Sequence, residues 1–167
     1  MARPAGRQDL PDLGPRGEGW VLGQFLLIAM LVAVSLPSLA GIAPDATVDW
    51  LALAFGCAAM LAGGWVVIAA FRDLGRSLTP MPRPHEDAVL VESGIYATIR
   101  HPIYAGLILG GLGWSAVTRS LAAALLTVVL ATFLDLKSRR EEGWLTERYP
   151  AYHAYRRRTR RFVPRLY

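Results

Sequence analysis

Polar and apolar residues fall into long blocks along this chain rather than alternating at a short period. Four apolar runs, at about residues 20–36, 48–71, 102–118 and 121–136, are separated by segments rich in charge, Pro and Gly. No Lys or Arg occurs from Gly17 to Phe71. A helix needs about 17–25 apolar residues to cross a bilayer. The pattern predicts an all-α integral membrane protein with about four transmembrane helices and a C-terminal interfacial helix. One membrane domain over residues 20–167 follows a flexible tail, 1–19, rich in Gly and Pro. The first apolar run begins after a long tail of mixed charge and precedes further spans, which is not the layout of a cleaved signal peptide. Pro37 is expected to end the first helix.

Only Arg119 and Ser120 separate the last two runs. The run 121–136, at about 1.5 Å per residue, reaches roughly 24 Å against a hydrocarbon core near 30 Å. The two runs therefore read as a tight hairpin whose tip reaches only the far interface, where Arg119 can snorkel to the headgroups. Residues 138–161 are too polar to span. Their helical character suggests a helix lying along the membrane surface.

Composition agrees with this reading. Hydrophobic residues make up 53% of the chain, and the spans claim most of them, so a large soluble core is not expected. The 18 Lys and Arg are divided three, none, four, one and ten among the tail, first link, central loop, second link and C-terminal segment. Cytoplasmic loops carry the excess of Lys and Arg. The alternation places both termini, the central loop 72–101 and the segment 137–167 on the cytoplasmic side, where they can build one site. Beside four spans, the basic C-terminus points to anionic lipid rather than nucleic acid. Cys57 is the single cysteine, which excludes an intrachain disulfide and a cysteine metal cluster. His85, His101 and His153 are far apart, so no metal site is expected. No Gly-rich dinucleotide turn and no serine-nucleophile elbow appear.

The chemistry-bearing residues gather where apolar runs meet polar sequence. Tyr96, Arg100, His101 and Tyr104 surround Pro102, which is suited to the first position of a helix. The N-terminus of that helix presents unpaired N–H groups to an anion or carboxylate. The same residues also suit a capped helix with interfacial aromatics. Gly106 and Gly110 have the spacing that lets helix backbones approach. Glu141 and Glu142 follow Lys137, Arg139 and Arg140, and could bind a ligand or pair with those arginines. Tyr149, Tyr152 and Tyr155 lead into Arg156, Arg157, Arg158, Arg160 and Arg161, which suits a lipid anchor or a lid over a site.

In their order these elements resemble the isoprenylcysteine carboxyl methyltransferase family and the related membrane phospholipid methyltransferases. The resemblance covers roughly residues 74–164. It rests on Leu90-Val91, Gly94-Ile95-Tyr96, Arg100-His101-Pro102-Ile103-Tyr104, Gly106, Glu141-Glu142, Tyr152, Tyr155 and the Arg-Phe-Val-Pro sequence ending at Pro164. It implies S-adenosylmethionine as methyl donor, held at the cytoplasmic side without a metal. Leu90, Val91 and Tyr96 are implied to flank its adenosine, and Gly94 to belong to the same cofactor-binding set. Arg100, His101 and Tyr104 are implied to contact it, and Glu141 or Glu142 to hold its polar groups. Gly111-Leu112-Gly113 has a form found in the phospholipid relatives. Arg158 or Arg161 is implied to orient an acidic acceptor, and these two with Glu142 form the implied catalytic set.

A methyl group on a sulfonium is already activated, so the protein has only to align the acceptor and exclude water. A carboxylate acceptor is ionised at neutral pH. An amine or thiol has to lose a proton, with His101 or a Glu as candidate base. The acceptor expected from the resemblance is a lipidic or isoprenylcysteine-type carboxylate. A phospholipid amine or small thiol is the alternative. A nicotinamide-dependent membrane sterol-type reductase and a non-catalytic scaffold stay open on sequence alone.

Overall fold

A computed structural model describes residues 10–40, 49–78 and 89–167. Five α-helices occur among them: α1 (Glu18–Ala40), α2 (Trp50–Leu74), α3 (Pro102–Thr118), α4 (Leu121–Arg148) and α5 (Tyr152–Arg158). Short 3-10 turns cover Gly75–Ser77 and Gly94–Ala97. α1, α2 and α4 are long and apolar enough to cross a membrane, and α3 is a shorter apolar helix beside them. Phe25, Leu26, Leu51, Leu61, Trp65 and Val128 are each more than half exposed. In a bilayer that surface meets acyl chains instead of water. The all-α membrane architecture expected from the apolar blocks is therefore present.

Two boundaries differ from expectation. α1 runs through Pro37 to Ala40. The proline removes its own N–H bond and crowds the carbonyl one turn back, but a lipid-facing backbone has no water to replace the remaining bonds. Ser35 Oγ donates to Val32 O at 2.7 Å in the same turn. α4 does not stop near Leu136 but continues as one helix to Arg148. The interfacial helix expected within 138–161 is instead the emergent end of α4, then a turn, then the seven-residue α5. Lys, Arg and Glu are strong helix formers, and Arg139 pairs with Asp135 one turn back at 2.7 Å. Tyr149 precedes Pro150, which disfavours helical geometry, and there α4 ends. At about 1.5 Å per residue α4 is roughly 42 Å long, well beyond a hydrocarbon core of about 30 Å.

The remaining ends follow their local chemistry. Asp49 caps α2 by accepting from Ala52 N at 3.0 Å, and Ser120 caps α4 by accepting from Ala123 N at 3.2 Å. Pro102 occupies the first turn of α3. Arg119 turns the chain between α3 and α4 in the left-handed region, at φ 52°.

α2 and α3 pack through glycines in antiparallel register. A Cβ on Gly63 would lie 2.6 Å from Gly106 O, and one on Gly106 would lie 2.6 Å from Gly63 O. One heptad away, Gly56 and Gly113 repeat the relation, each Cβ within 2.7 Å of the other's carbonyl. Gly113 thus serves helix packing, and Gly111 abuts Thr127 and Leu31. At the end of the bundle near the α3–α4 turn, Trp114 Nε1 donates to Ser35 Oγ at 2.8 Å, and the Ser115 and Thr127 hydroxyls lie 3.2 Å apart.

The opposite end gathers the start of α1, the end of α2, the start of α3 and the emergent part of α4. There Lys137 Nζ donates to Gln24 Oε1 at 2.7 Å. Part of the tail expected to be flexible lies against this end. Trp20 Nε1 donates to Pro11 O at 3.1 Å, and Asp12 pairs with Arg140, whose guanidinium stacks over Trp144. Residues 1–9 lie outside the described residues.

The glycine contact yields a sharp prediction. Gly106→Ala should lower thermal stability in detergent by about 1–3 kcal/mol, since the backbones must part to admit a methyl group. Gly110 has nothing within 4 Å of its missing Cβ, so Gly110→Ala should stay within about 0.5 kcal/mol of the parent. Equal losses in the two variants would show that the α2–α3 contact is looser than described.

Candidate functional site

The loop before α3 is tied down at several points. Ile95 N donates to Asp73 Oδ2 at 2.7 Å, from the end of α2. Gly94 has φ 60°, and a Cβ there would overlap the Asp73 carboxylate, so glycine is required. Tyr155 Oη donates to Tyr96 O at 2.7 Å. The segment after α5 then runs beside the loop. Arg160 N donates to Thr98 O, Arg100 N to Arg160 O and His101 N to Arg161 O, at 2.8–3.0 Å.

Arg100 and His101 are thereby aimed at Glu142 of α4. The Glu142 side chain is 4% exposed. Its Oε1 accepts from Arg100 Nε at 3.0 Å and Arg161 Nε at 3.2 Å, and His101 Nε2 lies 3.3 Å away. Its Oε2 accepts from Arg161 Nη2 at 3.3 Å, and Arg156 Nε lies at 3.5 Å. Arg100 Nη1 also donates to Thr159 O at 2.6 Å and Arg156 O at 3.2 Å, satisfying carbonyls at the end of α5. Arg161 Nη1 reaches Asp135 Oδ1 at 2.8 Å.

Glu141, the next residue, points elsewhere. It accepts from Tyr104 Oη at 2.5 Å, and its Oε2 faces His101 Nδ1 at 3.4 Å. Both ring nitrogens of His101 thus face carboxylates. A carboxylate only accepts hydrogen bonds, so this setting favours a proton on each nitrogen. Burial alone pushes the His101 pKa down, but the hydrogen bonds and charges of Glu141 and Glu142 outweigh it and hold the value above 6.5. The ring stacks on Tyr104, with centroids 5.4 Å apart.

Beside this cluster lies a cavity of about 190 Å³. Leu74, Leu78, Val89, Leu90, Val91 and Leu145 give it apolar walls, and Tyr96, Tyr104, Tyr149, Tyr152 and Tyr155 give it aromatic ones. Arg100, His101 and Glu141 line it, and Glu141 is its acidic group among the described residues. The Tyr152 hydroxyl is buried at this wall without a hydrogen-bond partner. Burial pushes the phenols of Tyr96, Tyr152 and Tyr155 far above the ordinary value of 10.0, so they stay protonated at neutral pH.

The structure brings Leu90, Val91, Tyr96, Arg100, His101, Tyr104 and Glu141 to the cavity. Gly94 shapes the loop without lining it. Glu142 and Arg161 sit behind the wall, bound to each other. Arg158 lies outside the cluster, its side chain 55% exposed and paired with Glu92 at 2.5 Å. Among the described residues no three His, Cys, Asp or Glu side chains gather as metal ligands. His85 lies outside the described residues. Sequence reasoning did not find Leu74, Leu78 and Leu145, nor the joint hold of Asp135 and Tyr167 on Arg161. Leu145 and Tyr149 follow Glu141 at helical spacing, a face that appears once α4 is extended past Leu136.

The profile of the phospholipid methyltransferase family matches residues 51–152, which include the loop, α3 and the Glu pair. The chain belongs to that family. Among curated proteins it is similar to the cobalt-zinc-cadmium resistance protein CzcN of Cupriavidus metallidurans, 42% identical over 115 residues that cover 62% of this chain and 53% of that protein. It is also similar to the protein-S-isoprenylcysteine O-methyltransferase of Schizosaccharomyces pombe, 29% identical over 106 residues, 61% of this chain and 45% of that protein. The chain spans about half the length of these relatives.

Protonation of His101 makes a stability prediction. A raised folded-state value stabilises fully below pH 6.5, and that contribution is lost as pH rises through the folded-state value. Thermal midpoints in detergent should therefore fall more steeply above neutral pH for the parent than for His101→Gln. Parallel curves would mean that His101 is neutral between its two carboxylates.

Proposed function

We propose that residues 20–167 form an S-adenosylmethionine-dependent membrane methyltransferase domain whose acceptor is a lipidic carboxylate. Family membership supports methyl transfer over hydride transfer or a scaffold role. The observation that carries the donor assignment is the cavity's chemistry. Among the described residues one carboxylate, Glu141, faces it, the Tyr152 phenol is buried without a partner, and the walls are apolar and aromatic. Those groups suit a ligand with a cationic centre, polar substituents and a flat base. Glu141 would hold the cationic end, Tyr152 a polar group, and Leu90, Val91 and Tyr96 the base. When bound, S-adenosylmethionine supplies a methyl group already activated on sulfur.

The same groups favour the acceptor class. His101 has both nitrogens facing carboxylates, a setting that favours the protonated ring over a base. Tyr96, Tyr152 and Tyr155 hold theirs. With Glu141 engaged by the donor, no lining group among the described residues is left to deprotonate an ammonium, whereas a carboxylate arrives ionised. The isoprenylcysteine relative supports a carboxylate. The family description favours a phospholipid amine, which remains the second reading. Arg158 is assigned to the acceptor carboxylate, since its guanidinium is held by Glu92 and lies over the ring of Tyr155 on the cavity wall. Arg161 and Glu142 are positioning residues in this scheme. The basic C-terminal segment and the site are assigned to the cytoplasmic face, as the distribution of Lys and Arg suggests.

Calorimetry of the purified protein should show S-adenosylmethionine binding that chelator leaves unchanged. Glu141→Gln should weaken it by about ten- to a hundredfold, the cost of one charged hydrogen bond. Arg158→Gln should keep donor affinity and lower methyl transfer to a prenylated cysteine carboxylate. Methylation of phosphatidylethanolamine instead would establish the amine reading. Absence of donor binding would end both. Tags at Met1 and Tyr167 should be reachable only from the cytoplasmic side of sealed cells, and labelling of either from outside would reverse the orientation.

A further inference from the structure

Residues 159–167 return from α5 toward the membrane, and two contacts set their depth. Phe162 joins the core cluster of Tyr104, Leu130 and Leu134, level with the apolar half of α4. The Tyr167 hydroxyl donates to Asp135 Oδ1 at 2.9 Å, beside Leu136 where the apolar run ends. The segment is thus held at the boundary between hydrocarbon and headgroups.

Several of its side chains are exposed. Val163 and Leu166 are 44% and 82% exposed. Arg157, Arg160 and Arg165 are exposed, and their side chains make no hydrogen bond or ion pair among the described residues. Unpaired arginines interleaved with exposed aliphatics at that depth match a bilayer surface, with acyl chains for the aliphatics and phosphates for the guanidinium groups. A soluble anion would leave Leu166 and Val163 without a role.

We propose that residues 157–166 dock on anionic phospholipid headgroups of the surrounding bilayer, and that this docking holds the candidate site in shape. The coupling runs through the backbone. Arg160 and Arg161 exchange hydrogen bonds with Thr98, Arg100 and His101, and Arg161 continues to Glu142. Whatever fixes this segment at the interface also fixes the loop that carries Arg100 and His101. The coupling does not depend on the identity of the methyl donor.

The test is hydrogen exchange of the full chain in nanodiscs of phosphatidylcholine alone and of phosphatidylcholine with phosphatidylglycerol in equal parts. Exchange at the amides of Arg100, His101 and Arg160 should be slower in the anionic discs by at least about tenfold, a fraction of the full attraction of three arginines to a charged surface. The triple variant Arg157→Gln, Arg160→Gln, Arg165→Gln should erase the difference, and Leu166→Ser should reduce it. Equal rates for the parent in the two discs would overturn the proposal. So would a difference that survives in the triple variant, or one reproduced by adding inorganic phosphate to neutral discs.

Discussion

Three segments distant in sequence meet on the Glu142 carboxylate: α4 itself, the loop before α3, and the residues after α5. A carboxylate this deeply buried costs several kcal/mol in lost hydration unless its oxygens are fully engaged. Arg100, His101 and Arg161 supply that engagement from both other segments. The side chains of all three are also buried, so none can leave without stranding a polar partner. The cluster therefore forms as a unit or not at all, and it is what makes a loop and a tail behave as parts of a helical bundle. The arginine contacts to Thr159 and Arg156 carbonyls extend the same constraint to α5.

Adjacent glutamates have separate roles because a helix turns by roughly 100° per residue. Glu142 faces the returning segment and is saturated with cations. Glu141 faces the cavity, with Tyr104 and one edge of His101 as partners. His101 lies between them and so couples the two. Its ring orients Glu141 only while the Glu142 cluster holds its other edge. A group that can receive a ligand is thus kept rigid by one that cannot, a division that the pair of identical residues does not announce.

The fold class and the start of the site were legible in the sequence because their signals are local. Apolar blocks mark the spans, and Pro102 after His101 marks the first turn of α3, whose bounds match the expectation of 102–118. That the helical residues after 136 continue α4 without a break was not legible, because charge marks where the membrane ends and says nothing of where the helix does. Lys137, Arg139, Glu141 and Glu142 are good helix formers, and nothing before Pro150 breaks the helix. The continuous α4 is also what carries Leu145 and Tyr149 to the cavity. The partition of the arginines was not legible. Arg158 and Arg161 stand three apart in one basic run, yet one is exposed beside Glu92 and the other buried between Glu142 and Asp135. Only tertiary contact distinguishes them.

The position of the cavity follows from two kinds of packing that meet there. Within the bilayer, no hydrophobic driving force separates helix from lipid, so α2 and α3 are held by close backbone contact at Gly56, Gly63, Gly106 and Gly113. That contact fixes where α2 ends, and hence where Asp73, Leu74 and Leu78 stand relative to the start of α3. Outside the bilayer, water is available and charge pairing takes over, with Glu142 as its centre. Neither kind alone would leave a cleft. A glycine-packed bundle closes on itself, and a fully paired charge cluster has no free group. At their junction Leu74 at the end of α2, Val89, Leu90 and Val91 of the loop and Leu145 of the emergent α4 give apolar walls, and Glu141 gives a carboxylate. A cleft with apolar and aromatic walls and the Glu141 carboxylate on its lining is what remains between them.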